Sequence, residues 1–216
     1  TNVSFDNLAP GVTTIRPVAN NFTFVSTTIN ISATVTDANG VNIVRANVTY
    51  PNNQTNETLI LQRVGNIFNF SFPNTSNEGY YNITFLANDS LDNLNNTEKT
   101  NFTVDSTGPT VGTLRPAANS NTSTGTVNIS ATVTDQWLNV DIVLANVTYP
   151  DNTTKEQLRL VRVSNIYNFS FPNTTQQGIY NITFIANDTA GNLNTTEKTN
   201  VSFDNLAPGV TTIRPV

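Results

Sequence analysis

Two kinds of residue in this chain are spaced so that they could do chemistry. The first is the N-x-S/T acceptor pattern, which occurs 22 times in 216 residues. The Asn and Ser/Thr frequencies alone predict about eight such triplets, so the pattern is enriched nearly threefold. An asparagine amide in this setting accepts an N-linked sugar. The candidate acceptors are Asn21, Asn30, Asn47, Asn53, Asn56, Asn69, Asn74, Asn82, Asn88, Asn121, Asn128, Asn146, Asn152, Asn168, Asn173, Asn181 and Asn187. The second kind is aspartate in two matched sets, Asp6, Asp37 and Asp89, then Asp105, Asp135 and Asp188. Carboxylates brought together repel unless a cation or protons intervene. Ca²⁺ takes six to eight oxygen ligands, which such groups supply. The competing reading is that each Asp caps a turn by accepting backbone N–H groups. A tight Asp-rich ligand loop is absent from the sequence.

Other chemistries are excluded or weak. The formal net charge is −5 with 12% charged residues, and no basic patch suggests a nucleic-acid partner. There is no cysteine, so no disulfide, thiolate metal site or thiol nucleophile. Histidine is also missing, which removes the commonest general base and zinc ligand. No apolar run approaches the ~20 residues that span a bilayer, so no membrane contact is expected within this segment. What remains for acid–base work is Asp, Glu, Lys and Tyr, and each acidic set is duplicated, so we expect no enzyme. Lys99 and Lys198 lie in matching EKTN stretches. Strand parity turns Lys99 outward with Asn101, which argues against a buried reactive lysine.

The duplication runs through the whole chain. TNVSFDNLAPGVTTIRPV occupies both Thr1 to Val18 and Thr199 to Val216. ANVTYP at Ala46 returns at Ala145, and FNFSFPNT at Phe68 returns as YNFSFPNT at Tyr167. Asp6, Asp105 and Asp204 stand 99 residues apart. These matches predict two copies of a unit of about 99 residues with overhangs. The expected frame is residues 1–6 as the last strand of a preceding repeat, 7–105 and 106–204 as two repeats, and 205–216 as the first strand of another. The eighteen-residue identity suggests a window on a longer array of period 198.

The elements that position these residues are strands. Asn and Thr make up about a third of the chain, a bias that could mean disorder. Apolar residues nevertheless alternate with polar ones, as in Ile29, Ile31, Ala33 and Val35, in Phe68, Phe70 and Phe72, and in Tyr81, Ile83, Phe85 and Ala87. A period of two predicts half-buried strands. It also places Asn and Ser/Thr of a triplet together on the outer face, with the middle residue in the core. In the first unit strands are expected near Val12–Arg16, Thr27–Thr36, Asn42–Tyr50, Glu57–Val64, Asn66–Phe72, Tyr80–Asn88 and Thr97–Val104, with Gly, Pro and Asn turns between them. Seven short strands per unit, with no helical period, predict an all-β chain of two tandem seven-stranded Greek-key β-sandwiches.

GYYNITFLANDS and GIYNITFIANDTAGN resemble the F strand and F–G turn of immunoglobulin-like and fibronectin-III-like modules. VDSTGP and FDNLAP are similar to the domain junctions of tandem surface-protein repeats from archaea and bacteria. The resemblance implies that Tyr81 and Tyr180 are corner tyrosines tying the E–F corner. Trp137, in the B–C region of the second unit alone, reads as a loop anchor. The resemblance also implies that the entering linker, the B–C loop and the F–G loop share one end. Asp6, Asp37 and Asp89 then converge, as do Asp105, Asp135 and Asp188, with Ca²⁺ as the expected ion. Pro10, Pro109 and Pro208 would stiffen such junctions without any metal. The expected function is a structural repeat of a long extracellular or cell-surface filament, stalk or adhesin carrying N-linked glycans. Its partners would be neighbouring repeats, identical chains, and cell-surface or matrix targets. A surface binding module using its B–C and F–G loops is the alternative, and strand donation between chains is a second one.

Overall fold

The computed structural model describes residues 5–123, 125–172 and 174–209. All twenty regular elements among them are β-strands. The chain divides into two compact units, Thr1–Ser106 and Thr107–Val216. Of the expected partial strands at the ends, residues 1–4 and 210–216 lie outside the described residues.

The first unit runs β1 (Gly11–Arg16), β2 (Asn21–Thr23), β3 (Ile29–Thr36), β4 (Val41–Thr49), β5 (Asn56–Ile60), β6 (Gln62–Val64), β7 (Ile67–Phe72), β8 (Gly79–Asp89), β9 (Leu94–Asn95) and β10 (Lys99–Val104). One sheet has the order β1-β3-β7-β6, and the other β2-β10-β8-β4-β5 with β9 on β8. Sequential strands β3 and β4, β5 and β6, and β7 and β8 therefore sit in different sheets. This is the Greek-key order of an immunoglobulin-like sandwich. All pairings in this unit are antiparallel except β2 with β10.

Alternation decides which face is buried. Ile31, Ala33 and Val35 from one sheet meet Val44, Ala46, Val48, Tyr81, Ile83, Phe85 and Ala87 from the other, all in one core cluster. Burying a side chain such as Phe85 stabilises the fold by roughly 1.5–3 kcal/mol relative to leaving it in water. Near the end of β1 the register shifts between Thr13 and Arg16, and Thr14 takes a φ of 47°. A left-handed β-branched residue is uncommon, and the bulge it forms bends the strand where the chain leaves for the second sheet.

The second unit repeats this plan. Its strands are β11 (Thr110–Arg115), β12 (Ser120–Thr122), β13 (Val127–Thr134), β14 (Val140–Thr148), β15 (Lys155–Arg159), β16 (Val161–Val163), β17 (Ile166–Phe171), β18 (Gly178–Asp188), β19 (Leu193–Asn194) and β20 (Lys198–Phe203). The sheet orders are β11-β13-β17-β16 and β12-β20-β18-β14-β15. Even the bulge recurs, with Thr113 at a φ of 48°.

Sequence periodicity and structure differ in detail. The single strand expected over Glu57–Val64 is two strands in two sheets. Leu61 marks the crossing: its N–H still bonds Val44 O at 3.0 Å before the chain joins the other sheet as β6. Apolar alternation ends at Leu61, because Gln62 and Arg63 are polar and all three residues of β6 are exposed, and a lost period marks a strand end as readily as a change of sheet. Strands β2 and β9 were not expected, because two or three residues are too few to establish a period.

Candidate cation and glycosylation sites

One end of the first sandwich gathers three carboxylates. Asp6 lies in the segment entering β1, Asp37 follows β3, and Asp89 is the last residue of β8. Each offers one oxygen such that all three atoms lie within 4.8 Å of one another. Asp89 is buried, and Asp6 and Asp37 are half-buried.

Amides hold this cluster. The Leu8 N–H donates to Asp6 Oδ1 at 3.0 Å, and the Asn39 side chain donates to Asp6 Oδ2 at 2.6 Å. The Asn39 N–H donates to Asp37 Oδ1 at 2.8 Å. Asp89 Oδ1 accepts from Leu91 N and Asn93 N at 2.8 and 2.9 Å, and Oδ2 accepts from Asn93 Nδ2 at 2.7 Å. Burial pushes the Asp89 carboxyl upward. The side-chain and backbone amides of Asn93 and the Leu91 N–H oppose it and hold the group below its ordinary value. The turn-capping and ion-binding readings are thus compatible here. A carboxylate oxygen has more than one lone-pair direction, so capping leaves acceptor capacity for a cation. Oxygens at this spacing fit Ca–O distances of about 2.3–2.6 Å.

Asp105 belongs to the first unit, where it is buried and its N–H bonds Thr23 O at 2.9 Å. Asp135 and Asp188 belong to the second. Asp135 Oδ1 accepts from Trp137 N and Leu138 N at 2.9 and 2.7 Å. Asp188 accepts from Ala190 N, Asn192 N and Asn192 Nδ2 at 2.8, 3.0 and 2.8 Å. Sequence reasoning missed Asn39 and Asn93, the amides that tie the first cluster together. The recurring spacing Asp89…Asn93 and Asp188…Asn192 was the available signal.

Among the described acceptor asparagines none is buried. Asn21, Asn30, Asn53, Asn56, Asn74, Asn82, Asn121, Asn128, Asn152 and Asn181 are exposed. Asn47, Asn69, Asn88, Asn146, Asn168 and Asn187 are half-buried, and Asn173 lies outside the described residues. Several side-chain amides are engaged. Asn74 Nδ2 donates to Glu57 Oε2 at 2.9 Å. Asn56 and Asn47 accept from Thr49 and Thr58 hydroxyls at 2.7 and 2.8 Å.

The strand triplets are also paired with one another. Asn30 faces Ser71 while Ser32 faces Asn69, so two N-x-S triplets oppose each other in antiparallel register. Asn47 and Thr49 face Thr84 and Asn82 on one side and Thr58 and Asn56 on the other. The pairings Asn128–Ser170, Ser130–Asn168, Asn146–Thr183 and Thr148–Asn181 repeat this in the second unit. Cross-strand polar pairs stabilise a sheet face, so part of the triplet excess has the structural origin that alternating polar strand faces imply, with a cross-strand register that the linear sequence did not reveal.

The remaining marked residues are also placed. Tyr81 is fully buried, and its hydroxyl donates to Asn77 O at 3.0 Å and to Asn74 O at 3.3 Å. Tyr180 is buried likewise, and its hydroxyl accepts from Gln176 N at 2.9 Å. Trp137 is half-buried in its loop. Lys99 and Lys198 are exposed.

No protein-family model matches the chain, and neither does any curated protein. Solved structures similar to it include the fibronectin(III)-like modules of Clostridium thermocellum CbhA, at 20% identity over 94% of this chain and 100% of that one, with a TM-score of 0.41. A tetra-tandem repeat from the extending region of a large adhesion protein is similar at 21% identity over 91% of this chain, with a TM-score of 0.41. The present chain spans 49% of that repeat structure. The FN1–FN3 domains of chicken CNTN1 are similar at 9% identity, covering 91% of this chain and 67% of that one, with a TM-score of 0.43. Likenesses of this size leave the architecture resting on the strands and sheets themselves.

Proposed function

We propose that this chain is a stretch of tandem structural repeats from an extracellular or cell-surface filament, stalk or adhesin, framed as residues 7–105 and 106–204, and that it carries N-linked glycans. The observation that carries this reading is the duplication itself: two units with the same ten-strand plan, sheet order and bulge. A protein built to repeat a scaffold uses it as length. Electron microscopy of the native full-length protein tests the reading. Thin, extended particles are expected, and a compact globular particle would overturn it.

Within this reading Asp6, Asp37 and Asp89 bind Ca²⁺, supported by three carboxylate oxygens within 4.8 Å. Asp105, Asp135 and Asp188 hold the corresponding places in the sequence. Calorimetric titration with Ca²⁺ should give a binding isotherm that Asp37→Asn weakens. An unchanged isotherm in that variant would remove this set as the ligand.

A surface binding module is the second reading. It is favoured by the asymmetry of the loop after β13, where the second unit alone carries Trp137.

A further inference from the structure

Each sandwich has a concavity where the chain crosses from its first strand to the short strand that follows. In the first unit it measures about 510 Å³ and is lined by Arg16, Pro17, Val18, Asn21, Ile29 and Asn30. In the second it measures about 380 Å³, and its lining includes Arg115, Pro116, Ala117, Asn121, Val127 and Asn128. Both lie in the roughly 300–1,000 Å³ range of small-molecule sites. Arg16 and Arg115 are exposed, and neither guanidinium has a hydrogen-bond or ionic partner among the described residues.

Each concavity holds two acceptor asparagines, but one of each pair occupies the same backbone position in both units. Asn30 pairs with Ser71 on β7, and Asn128 pairs with Ser170 on β17. Asn21 is the first residue of β2, and Asn121 is the second of β12. Successive strand residues face opposite ways, so Asn21 and Asn121 are not equivalent.

We propose that Asn30 and Asn128 carry N-linked glycans whose first sugar seats in the adjoining concavity. The inference rests on the N-glycosylated reading above and adds to it which asparagines are modified and what holds the sugar. A pyranose ring has an apolar C–H face and a rim of hydroxyls. Pro17, Val18 and Ile29, or Pro116, Ala117 and Val127, offer the apolar wall. Arg16 or Arg115 offers a fork of N–H donors to the hydroxyl rim. In the transfer, the Asn Nδ2 loses a proton and bonds to C1 of a phosphate-activated sugar donor. The C1–O bond to the phosphate breaks, and the phosphate leaves with the electron pair. Ser32 and Ser130, the hydroxyls of these triplets, are 7% and 6% exposed. A transferase that must grip the hydroxyl therefore acts before β3 pairs with β7, on the unfolded chain.

Glycopeptide mapping of the native protein, followed by timed endoglycosidase digestion of the folded chain, tests this. Sugar is expected at Asn30 and Asn128, released from the folded chain more slowly than sugar on the loop sites Asn53 and Asn152. Arg16→Ala, an exposed change that spares the core, should speed release at Asn30 alone by about tenfold, equivalent to about 1.4 kcal/mol of lost contact. Loop sites glycosylated with Asn30 and Asn128 bare would overturn the inference and leave the N-glycosylated reading standing. No sugar anywhere would overturn both. Equal release rates at all sites, or no effect of Arg16→Ala, would overturn the seating.

Discussion

The two sandwiches share a plan and differ in how they fill it. In the first, four aromatic rings meet: Tyr81 stacks on Phe102 with centroids 4.8 Å apart, and Tyr50 lies 6.0 Å from Phe72 and 5.2 Å from Tyr81. The second keeps Tyr149, Phe171 and Tyr180 at matching separations of 6.0, 5.1 and 6.2 Å, but Val201 stands where Phe102 was. Two residues on, Phe203 replaces Val104, and both are buried. Ring volume has moved along the strand rather than vanished. On the outer face of the neighbouring pair, Arg45 opposite Ile60 becomes Leu144 opposite Arg159. The turn after β8 hardly changes: the amides on Asp89 and Asp188 match within 0.1 Å. Core filling and surface charge are exchanged between neighbours, whereas the aspartate, its asparagine four residues on and their hydrogen bonds are kept in both units while the three residues between them change. The aspartate of the turn is therefore held by the same hydrogen bonds in both units, with or without a cation.

The largest expected effect tests the core half of this comparison. Phe102→Ala should destabilise the first unit by about 3–5 kcal/mol, since it removes a fully buried ring and leaves a cavity beside Tyr81. Val201→Ala should cost the second unit less, because fewer atoms are deleted. Hydrogen exchange read separately over each unit of the intact chain checks both values. Equal losses would mean that Phe203 does not compensate for the missing ring.

Next in size are the turns. Asp89→Asn would bring an amide nitrogen against the Asn93 side-chain donor, with an expected loss of stability at neutral pH smaller than that of Phe102→Ala. Asp188→Asn should match it, and a clear difference would break the claim that the two turns are equivalent. Acid sharpens the test at Asp89. A carboxyl held below its ordinary value stabilises the fold above that value and loses the contribution as pH falls through the folded-state pKa. The Asp89→Asn penalty should therefore shrink in strongly acidic denaturation experiments.

A smaller and opposite change concerns one atom. Tyr167 replaces Phe68, is 3% exposed, and buries a hydroxyl with no hydrogen-bond partner among the described residues. Removing an unsatisfied buried hydroxyl recovers its desolvation penalty, so Tyr167→Phe should stabilise the second unit by about 1–2 kcal/mol. Phe68→Tyr should destabilise the first by a similar amount. Denaturant midpoints at unchanged slope are the measurement.

These differences also explain what the sequence could convey. Alternation located the cores of β3, β4, β7 and β8, because inward residues such as Ile31, Ala33 and Val35 leave a direct trace in the order of types. It could not locate the switch at Leu61, since Ile60 blurs the period before it and β6, exposed at all three positions, leaves no inward residue after it. Recurrence of Asp6, Asp37 and Asp89 marked candidate ligands. Their mutual distance depends on three loops meeting in space, and of the amides that hold them only Asn93 left a trace, in the spacing Asp89…Asn93 that recurs as Asp188…Asn192, whereas Asn39 has no counterpart pattern. The triplets were visible as a count, but their antiparallel pairing, Asn30 on Ser71 and Ser32 on Asn69, depends on register between distant strands.

The smallest effect at neutral pH is silent until alkaline solution and separates the first unit's Tyr50–Glu57 pair from its aspartate turn. The Tyr50 hydroxyl donates to Glu57 Oε2 at 2.6 Å. Burial is the main cause that raises its pKa, joined by the hydrogen bond to Glu57 and that carboxylate's charge, while the Asn74 amide lowers it; the net result is a group pushed up to about 12. An acid whose folded-state pKa exceeds its unfolded value stabilises the fold fully below the unfolded value, about 10 for tyrosine. That contribution is lost as pH rises from about 10 towards about 12. Glu57→Gln removes the charge but keeps an acceptor for the phenol. It should move the ultraviolet tyrosinate titration of Tyr50 to lower pH and narrow the window in which stability declines. Stability near pH 7 should change little beyond the altered bond to Asn74. The Asp89 turn lies on other residues, so its acid response should be the same in Glu57→Gln as in the parent chain. A shifted acid limb in that variant would show that the Tyr50–Glu57 pair and the turn are coupled, and the two could no longer be treated as independently constrained.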